Sequence, residues 1–300
     1  MANLKEVRER ISSVKSTQQI TKAMKMVAAA KLRRAQQAIV QLRPYSNKLS
    51  AMLSNILSNL DGDSSMSYGV ERPVKNVLLV LITSNRGLCG GFNSSLNKET
   101  VKLIDTKYSE QRKAGKLSIL FIGKKGYDYF KRRYTDVNFI TDHTDLVTRD
   151  FAYEDSEKVS SKLMSQFENE EYDAIDIVYA RFKNAAVQYF TVEQFLPVAP
   201  AEETADTKDS GMKADFIFEP NQEEILEHLV PTILKTQFHK TILDTTASEQ
   251  GARMTAMEKA SENAEEMLKE LKIFYNKARQ EAITSELYEI VGGAVALESQ

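Results

Sequence analysis

Helical spacing of apolar residues dominates the first 60 residues of the chain. From Leu4 the chain can be stepped through at alternating intervals of three and four residues, as in a coiled-coil seam. The seam positions are Leu4, Val7, Ile11, Val14, Gln18, Thr21, Lys25, Ala28, Leu32, Ala35, Ile39, Leu42, Ser46, Leu49, Leu53, Ile56 and Leu60. Where the seam turns polar, a second apolar stripe lies at Ile20, Met24 and Val27. The pattern predicts a long helix whose apolar face shifts around the helix axis along its length. Such a helix should contact more than one partner.

The C-terminal part of the chain predicts a second long helix, from about 222 to about 297. Its apolar positions include Leu243, Met254, Met257, Ala264, Leu268, Leu271, Ala278, Ile283, Leu287, Ile290 and Ala294. Pro44 should disturb the first helix, but the seam continues in phase beyond it, so we expect a kink there. Gly251, Gly292 and Gly293 each cost about 1 kcal/mol inside a helix. Their presence indicates close approach of another surface, or fraying at the helix end.

Apolar β-type runs and helical stretches alternate in the middle of the chain. The runs cover 77–82 and 118–122, and the helical stretches cover 95–113 and 124–134. This order predicts a parallel sheet with helices on both faces. Two further runs, 175–182 and 187–195, flank a four-residue turn and should join the sheet as an antiparallel hairpin. The acidic, Pro-containing stretch 197–220 has the composition of a disordered or variable segment.

Charge is distributed unevenly between the two helical ends. Residues 1–60 carry eleven Lys and Arg against two Glu, a net charge of +9. Residues 221–300 carry eight Lys and Arg against fourteen Asp and Glu, a net charge of −6. The opposite signs fit an antiparallel helix pair, a basic helix that meets an acidic partner, or simply solvated faces. Since no apolar run approaches the roughly 20 residues of a membrane span, a membrane role would be peripheral.

Residues that could carry catalysis are few and poorly placed. Residues 84–93 form a Gly-rich turn after a strand, but the glycine spacing matches neither the dinucleotide-binding nor the P-loop pattern. We therefore favour a structural turn over a nucleotide site. Cys89, the lone cysteine, would need a nearby base, and His143, His228 and His239 show no triad or metal spacing. The sequence accordingly predicts no catalytic residue, no cofactor and no metal site.

A basic stripe in the first helix leaves nucleic-acid binding open. Its residues are Lys22, Lys25, Lys31, Arg33 and Arg34. No aromatic residue for base stacking lies among the first 44 residues, and no reading-helix motif is evident. A coiled-coil nucleic-acid-binding or scaffold protein is therefore the alternative hypothesis. It predicts a gel shift with nucleic acid that weakens steeply as salt is added.

Four segments, in family order along the chain, closely resemble ATP synthase gamma subunits. They are 19–32 (QITKAMKMVAAAKL), 86–93 (RGLCGGFN), 247–257 (ASEQGARMTAM) and 278–294 (ARQEAITSELYEIVGGA). The chain is identified by them as a member of the bacterial-type family of F-type ATP synthase gamma subunits. The resemblance implies a mixed α+β and α/β fold: a long antiparallel coiled coil of N- and C-terminal helices plus a central Rossmann-like α/β domain. The expected segments are 1–60 and 221–300 for the coiled coil, 73–196 for the α/β domain, and 197–220 for a variable acidic loop.

The resemblance also implies a function. The chain would be the non-catalytic central rotor that couples proton flow through the membrane c-ring to ATP synthesis, and it would regulate ATPase activity. Its partners would be the alpha3/beta3 hexamer, the epsilon subunit and the c-ring, with one copy per complex, no cofactor and no nucleic acid. Because Met1 is followed by helix-type sequence without an Arg- and Ser-rich leader, we expect a bacterial source. The location would be peripheral, at the cytoplasmic face of the inner membrane.

Two groups of residues match positions at which the family contacts its beta subunits. Arg279 and Gln280 match the pair that meets a catch loop on beta. Met24 matches a position facing an acidic lever region of beta, and Lys22 and Lys25 would meet the same region. These five residues are the candidate partner contacts of the chain.

A third group lies at the C-terminal tip, and one residue departs from the family pattern. The tip around Gly293, Ala294 and Leu297 would sit in the collar of the ring as a bearing. The family usually has Asp where this chain has Asn85. Any charge-assisted hydrogen bond made by that carboxylate would be weaker here, because a neutral amide replaces it.

Overall fold

The computed structural model describes residues 4–58, 68–69, 72–147, 152–198 and 222–298. Most of the predicted acidic loop, from 199 to 220, lies outside the described residues. The chain divides into two compact units. The helical unit combines Met1–Ala28 with Arg253–Gln300, and the sheet unit comprises Ala29–Ala252.

The described elements follow the order expected of two helical ends around an α/β centre. The helices are α1 (Leu4–Ser58), α2 (Phe92–Thr106), α3 (Ser109–Lys113), α4 (Lys124–Phe130), α5 (Tyr153–Glu168) and α6 (Gln222–Glu298). The strands are β1 (Val77–Ile82), β2 (Leu117–Ile122), β3 (Asn138–Ile140), β4 (Ala174–Phe182) and β5 (Gln188–Leu196). Both predicted long helices are therefore confirmed. Pro44 lies inside α1, and a kink there stays a prediction.

The helical unit is an antiparallel pairing of the first part of α1 with the last part of α6. Polar contacts between the two helices include three in which residue numbers fall along α6 as they rise along α1. The pairs are Arg8 with Tyr275, Thr21 with Ser261, and Lys25 with Glu258. This order of contacts confirms the antiparallel direction that the resemblance implied.

The predicted seam is the side of α1 that packs in the helical unit. Every seam position from Leu4 to Ala28 is buried or half-buried. The second stripe lies on the outside, since Ile20 and Val27 are 59% and 58% exposed and Met24 is half-buried. α6 therefore covers the seam, and the stripe remains available to another partner.

The sheet unit is organised around a sheet whose described strands lie in the order β3-β2-β1-β4-β5. β1 pairs in parallel with β2 and β4, and β2 pairs in parallel with β3. β4 and β5 form the predicted antiparallel hairpin at one edge. β1 and β2 are buried at every position, as continuous apolar runs in a sheet covered on both faces must be.

Helices cover the sheet on both faces, and each face has its own apolar core. One core joins the strands to α2 and α4, and includes Leu96 and Phe130. The other joins the strands to α5, α6 and the second half of α1, and includes Phe167, Phe238 and Leu49. The sheet unit therefore contains part of each long helix as well as the central domain.

The long helix predicted for 95–113 is interrupted after Thr106, and α3 begins at Ser109. At the break, the Lys107 ammonium lies 2.9 Å and the Tyr108 hydroxyl 2.8 Å from the same carboxylate oxygen of Asp176. Asp176 is fully buried within β4. Because a buried charge must be paired, the two side chains at the helix break stabilise this carboxylate.

β3 and α5 have no counterpart in the sequence analysis. β3 has three residues, too few to show a strand period. α5 buries Val159, Leu163 and Phe167 at helical spacing, a signal that was available, but two serines, Ser156 and Ser160, occupy buried positions of the same stripe. Among the described helices, none is long and apolar enough to cross a membrane.

Candidate functional site

The surface of α1 around Met24 presents apolar and basic side chains together. Lys22 is exposed, and Met26 is exposed beside the stripe residues Ile20 and Val27. Isolated exposed apolar residues are normal, but a cluster of them on one helix indicates a partner surface. The structure thus places Met24 and Lys22 on a surface suited to contact with another protein.

Lys25 has a different environment from Lys22. Its ammonium lies 2.5 Å from a carboxylate oxygen of Glu258 on α6, and both side chains are partly exposed. Lys25 also occupies a seam position, so its charge is paired with Glu258 inside the helical pair. Of the two lysines, Lys22 is the one whose charge remains available to an acidic partner.

Beneath this surface the two helices are joined by small polar side chains. The hydroxyls of Thr21 and Ser261 are buried and lie 2.7 Å apart. Ser261 also lies next to the buried Met257, to whose carbonyl its hydroxyl donates at 2.8 Å. Further along, Arg8 donates to the Tyr275 hydroxyl at 2.8 Å, and this bond raises the pKa of Arg8. Two of the polar seam positions, Thr21 and Lys25, therefore have partners on α6.

Arg279 and Gln280 are both exposed on α6. Gln280 contributes to an open surface hollow of about 440 Å³. The residues lining the hollow are Lys277, Gln280, Glu281, Thr284, Ser285 and Tyr288. These residues all come from α6, and each carries a polar group beside apolar atoms, so this shallow surface offers both hydrogen bonds and apolar contact to a partner loop. Arg279 lies next to the hollow without lining it.

Overlapping this hollow at Thr284, Ser285 and Tyr288, α6 has an apolar tip, which we define as residues 283–294. Ile283, Leu287, Tyr288, Ile290 and Val291 are all exposed there. Ile283, Leu287 and Ile290 belong to the apolar series predicted for the helix, and about half or more of each side chain is exposed. A tip of this kind indicates a partner that supplies the missing apolar surface.

The bearing residues belong to the same part of α6. Gly293 and Ala294 are exposed, and no atom of the described chain lies within 4 Å of a Cβ built on Gly292 or Gly293. Leu297 lies within α6, but its side chain is outside the described side chains. The close approach of another surface that was predicted at the three glycines is therefore found at Gly251, which faces the backbone of Ala185. The described chain provides no such surface at Gly292 or Gly293.

The Gly-rich turn after β1 is held by its own side chains. Ser84 donates to the carbonyl of Arg86 at 2.7 Å, and the Asn93 amide donates to the buried thiol of Cys89 at 3.2 Å. Asn85 accepts a hydrogen bond from the backbone N–H of Lys124 at 2.8 Å. The amide that replaces the usual carboxylate thus ties the turn to the start of α4, which is a structural role.

Comparisons with known proteins identify relatives of this chain and agree with its fold. A family model described as ATP synthase matches residues 3–297. The chain is 46% identical to the ATP synthase gamma chain of Cytophaga hutchinsonii, covering all of both chains, and 48% identical to that of Flavobacterium johnsoniae, covering 99% of each. A chain in the mitochondrial ATP synthase of Euglena gracilis shares the fold, with a TM-score of 0.66 at 23% identity. That match covers 99% of this chain and 95% of the Euglena chain.

Proposed function

The chain belongs to the ATP synthase gamma chain family, and on that premise we propose that it is the central rotor of an F-type ATP synthase. It couples proton flow through a membrane c-ring to ATP synthesis by rotation, and it regulates ATPase activity. The chain itself is non-catalytic, since the reaction takes place on the surrounding alpha and beta subunits. The observation that carries the proposal is full-length identity of 46% to a gamma chain.

The partners follow from the same premise. One copy of the chain would stand in an alpha3/beta3 hexamer, with the epsilon subunit and the c-ring at its other end. The complex would hold it peripherally at the cytoplasmic face of a bacterial inner membrane. The exposed apolar tip supports the hexamer as a partner, because an apolar surface of this kind is covered in an assembly.

The asymmetry of the helical pair supports a rotational mechanism. The surface around Met24 on α1 is apolar and basic, whereas the surface at Gln280 on α6 carries acidic, amide and hydroxyl groups beside its lysine. A beta subunit that faces the exposed stripe of α1 makes different contacts from one that faces the exposed residues of α6. Because a ligand shifts an equilibrium by its differential affinity for the two states, each contact favours a different nucleotide-binding conformation of beta. Rotation then changes the nucleotide affinity of each beta subunit in turn.

The alternative of a nucleic-acid-binding or scaffold protein is not supported by the comparisons. The curated relatives named above are gamma chains, and they match along their full length. The basic residues of α1 are explained in part by pairing with α6, as at Lys25 and Glu258. A specific observation in favour of nucleic acid is lacking among the described residues.

Reconstitution tests the rotor function directly. The purified chain is mixed with the alpha and beta subunits of its own source, and the products are separated by size. We expect a stable complex with one copy of the chain and restored ATP hydrolysis. A mixture that remains separated, or a complex without hydrolysis, would contradict the proposal.

The catch contact is tested by a double substitution, Arg279→Ala with Gln280→Ala. Both side chains are exposed, so folding should be preserved. We expect coupled ATP synthesis in membranes to fall several-fold while assembly stays normal. Lys272→Ala with Asn276→Ala, also exposed on α6, is the matched control and should behave as the unmodified chain. Normal synthesis by the Arg279 and Gln280 variant would exclude the contact.

A further inference from the structure

The part of α6 between Ile233 and Gly251 is enclosed on all sides, although much of it is polar. Every residue in this range is buried or half-buried. Polar residues that are buried here are Thr236, Thr241, Asp244, Thr245, Ser248, Glu249 and Gln250. A helix enclosed on all sides is ordinarily apolar all round. Thr236 and Thr241 donate to carbonyls of α6 itself, and Asp244 Oδ1 has no hydrogen-bond partner among the described residues. Other polar side chains of the segment bind neighbouring elements of the sheet unit, and those partners show what the segment does.

One set of partners belongs to the β4–β5 hairpin. The Gln237 amide donates to a Glu193 oxygen at 2.5 Å, and the Tyr179 hydroxyl donates to the other oxygen of Glu193 at 2.8 Å. Glu193 is on β5 and Tyr179 on β4. This bridge fastens α6 to both strands of the hairpin.

Two hydroxyls of α6 bind the backbone of β4 at Ala180. The Ala180 N–H donates to Thr245 Oγ1 at 3.4 Å, and Ser248 Oγ donates to the Ala180 carbonyl at 3.0 Å. The parallel register of β1 with β4 ends at Leu81 and Val178, before Ala180 is reached. α6 thus satisfies backbone groups that the neighbouring strand no longer pairs, as buried backbone groups require.

A second set of partners lies on α5. The Lys235 ammonium is 2.9 Å from a Glu157 oxygen, and His239 Nδ1 is 2.7 Å from the Ser156 hydroxyl. The His239 ring also meets the ring of Tyr153 edge to face, with centroids 5.2 Å apart. These contacts attach α6 to the neighbouring helix α5, whereas the first set attaches it to the hairpin.

The two sets lie on opposite sides of α6. At about 100° per residue, Thr245 and Ser248 fall within about 80° of Gln237, whereas Lys235 and His239 fall about 160° from it in either direction. Apolar contacts are non-directional, so they permit a helix to turn about its axis or to slide. Hydrogen bonds and ion pairs on opposite sides hold one setting, as buried polar residues do in coiled coils of defined register.

Gly251 fixes the position of α6 along its axis. A Cβ at this position would lie 3.1 Å from Ala185 Cα and 3.2 Å from its carbonyl oxygen. The hairpin turn cannot easily retreat, because the Asn184 side chain accepts from the backbone N–H groups of Ala186 and Val187. A side chain at position 251 would therefore push the helix and the turn apart.

We propose that these anchors form a register lock, defined as Lys235, Gln237, His239, Thr245 and Ser248 of α6 with their partners on α5 and the hairpin. The lock holds α6 at one rotational setting in the sheet unit, so that torque applied to this unit turns the helix rather than slipping around it. The inference rests on the rotor function proposed above. It assigns to these buried and half-buried polar residues a positioning role in coupling.

The test removes one anchor from each side and preserves side-chain volume, with Lys235→Met combined with Gln237→Leu. Both retained partners, Glu157 and Glu193, are only partly buried and can be hydrated, so the fold should survive. In the reconstituted complex in vesicles we expect ATP hydrolysis close to normal. The number of protons pumped per ATP hydrolysed should fall several-fold, because part of each turn is lost to slippage.

The matched control is Ile242→Val, a purely apolar change in the same enclosed segment. It should lower the Tm of the chain at least as much as the double substitution and leave the pumping ratio unchanged. A merely structural role of the anchors predicts the opposite, with the pumping ratio following Tm in both variants.

A second measurement needs only the purified full chain. Hydrogen exchange at the Ala180 amide reports the bond to Thr245, which exists in one register of α6. We expect exchange at Ala180 to accelerate at least several-fold in the double variant and not in Ile242→Val, while amides of β1 stay protected in both. Unchanged exchange together with an unchanged pumping ratio would overturn the lock. If the unmodified chain fails to form a coupled complex, the rotor function fails, and the exchange measurement still decides the register lock.

Discussion

Two segments of one helix, α6, have opposite relations between polarity and burial. The enclosed segment, 233–251, buries polar residues such as Thr245 and Asp244, which are 0% and 3% exposed. The apolar tip, 283–294, exposes Tyr288 and Ile290, which are 75% and 67% exposed. Local sequence alone would predict the reverse for a helix in a monomeric protein. The contrast shows that the two segments are selected for different partners.

Most of the enclosed segment's polar side chains have partners within the chain, Asp244 Oδ1 being an exception, whereas the tip finds few partners among the described residues. Buried polar groups cost free energy unless they are bonded, so their value is in specifying one arrangement. Exposed apolar residues cost solubility unless a partner covers them. In a rotor these are complementary requirements, because one end of the helix must be held rigidly while the other must turn against a surrounding surface.

The largest expected effect comes from one substitution made in both segments. Ile242→Ala in the enclosed segment removes a fully buried side chain and should lower the free energy of unfolding by about 2–5 kcal/mol. Ile290→Ala in the tip should change it by less than about 0.5 kcal/mol, because that side chain is exposed. Denaturant unfolding of the two purified variants measures both. Equal losses would show that the tip is packed in the free chain and would remove the contrast.

The next effect depends on pH and concerns Asp244. Burial raises the pKa of Asp244 from 3.8 to about 6, although Lys240, Arg43 and Arg181 oppose the shift. Glu193 adds to the increase. Because the folded pKa is the higher one, the proton stabilises the fold fully below pH 3.8, and this contribution is lost as pH rises through about 6. At pH 8 the chain therefore holds a charge that its interior disfavours.

Asp244→Asn should consequently raise the free energy of unfolding at pH 8 by about 1–2 kcal/mol. The gain should shrink as pH falls toward 4, where the unmodified carboxyl is protonated. Asp136→Asn is the control of opposite sign, since a hydrogen bond from Arg112 lowers the pKa of Asp136 and that substitution should destabilise at pH 8. Unfolding curves at several pH values test both variants. A gain at Asp244 that does not depend on pH would contradict the titration.

The sequence was sufficient for those parts of the fold whose pattern is long and regular. The apolar runs of β1 and β2 are buried, and the described seam positions of α1 are buried or half-buried, because many residues repeat the same period. β3 could not be predicted from the sequence, because three residues are too few to show a strand period. α5 was missed because Ser156 and Ser160 replace apolar residues in its buried stripe, and Ser156 is buried in order to meet His239.

The candidate contacts could be predicted only in part. Family resemblance supplied Arg279 and Gln280, and the exposure of both is compatible with a contact that stays a prediction. The pairing of Lys25 with Glu258 could not be read from charge counts, since it depends on which residues face each other across the helix pair. The anchors of the enclosed segment were also missed, because threonine and serine give the same helical signal whether they are buried or solvated.

The smallest expected effect compares two glycines of α6. Replacing a helical glycine with alanine gains about 1 kcal/mol where space is free. No described atom lies within 4 Å of a Cβ at Gly292, so Gly292→Ala should stabilise the tip and increase its helicity by circular dichroism. At Gly251 the same gain is opposed by overpacking against Ala185, which costs about 1–3 kcal/mol, so Gly251→Ala should lower the free energy of unfolding by about 1 kcal/mol. If both variants were stabilised, the turn at Ala185 would be able to yield, and Gly251 would not fix the axial position of the helix.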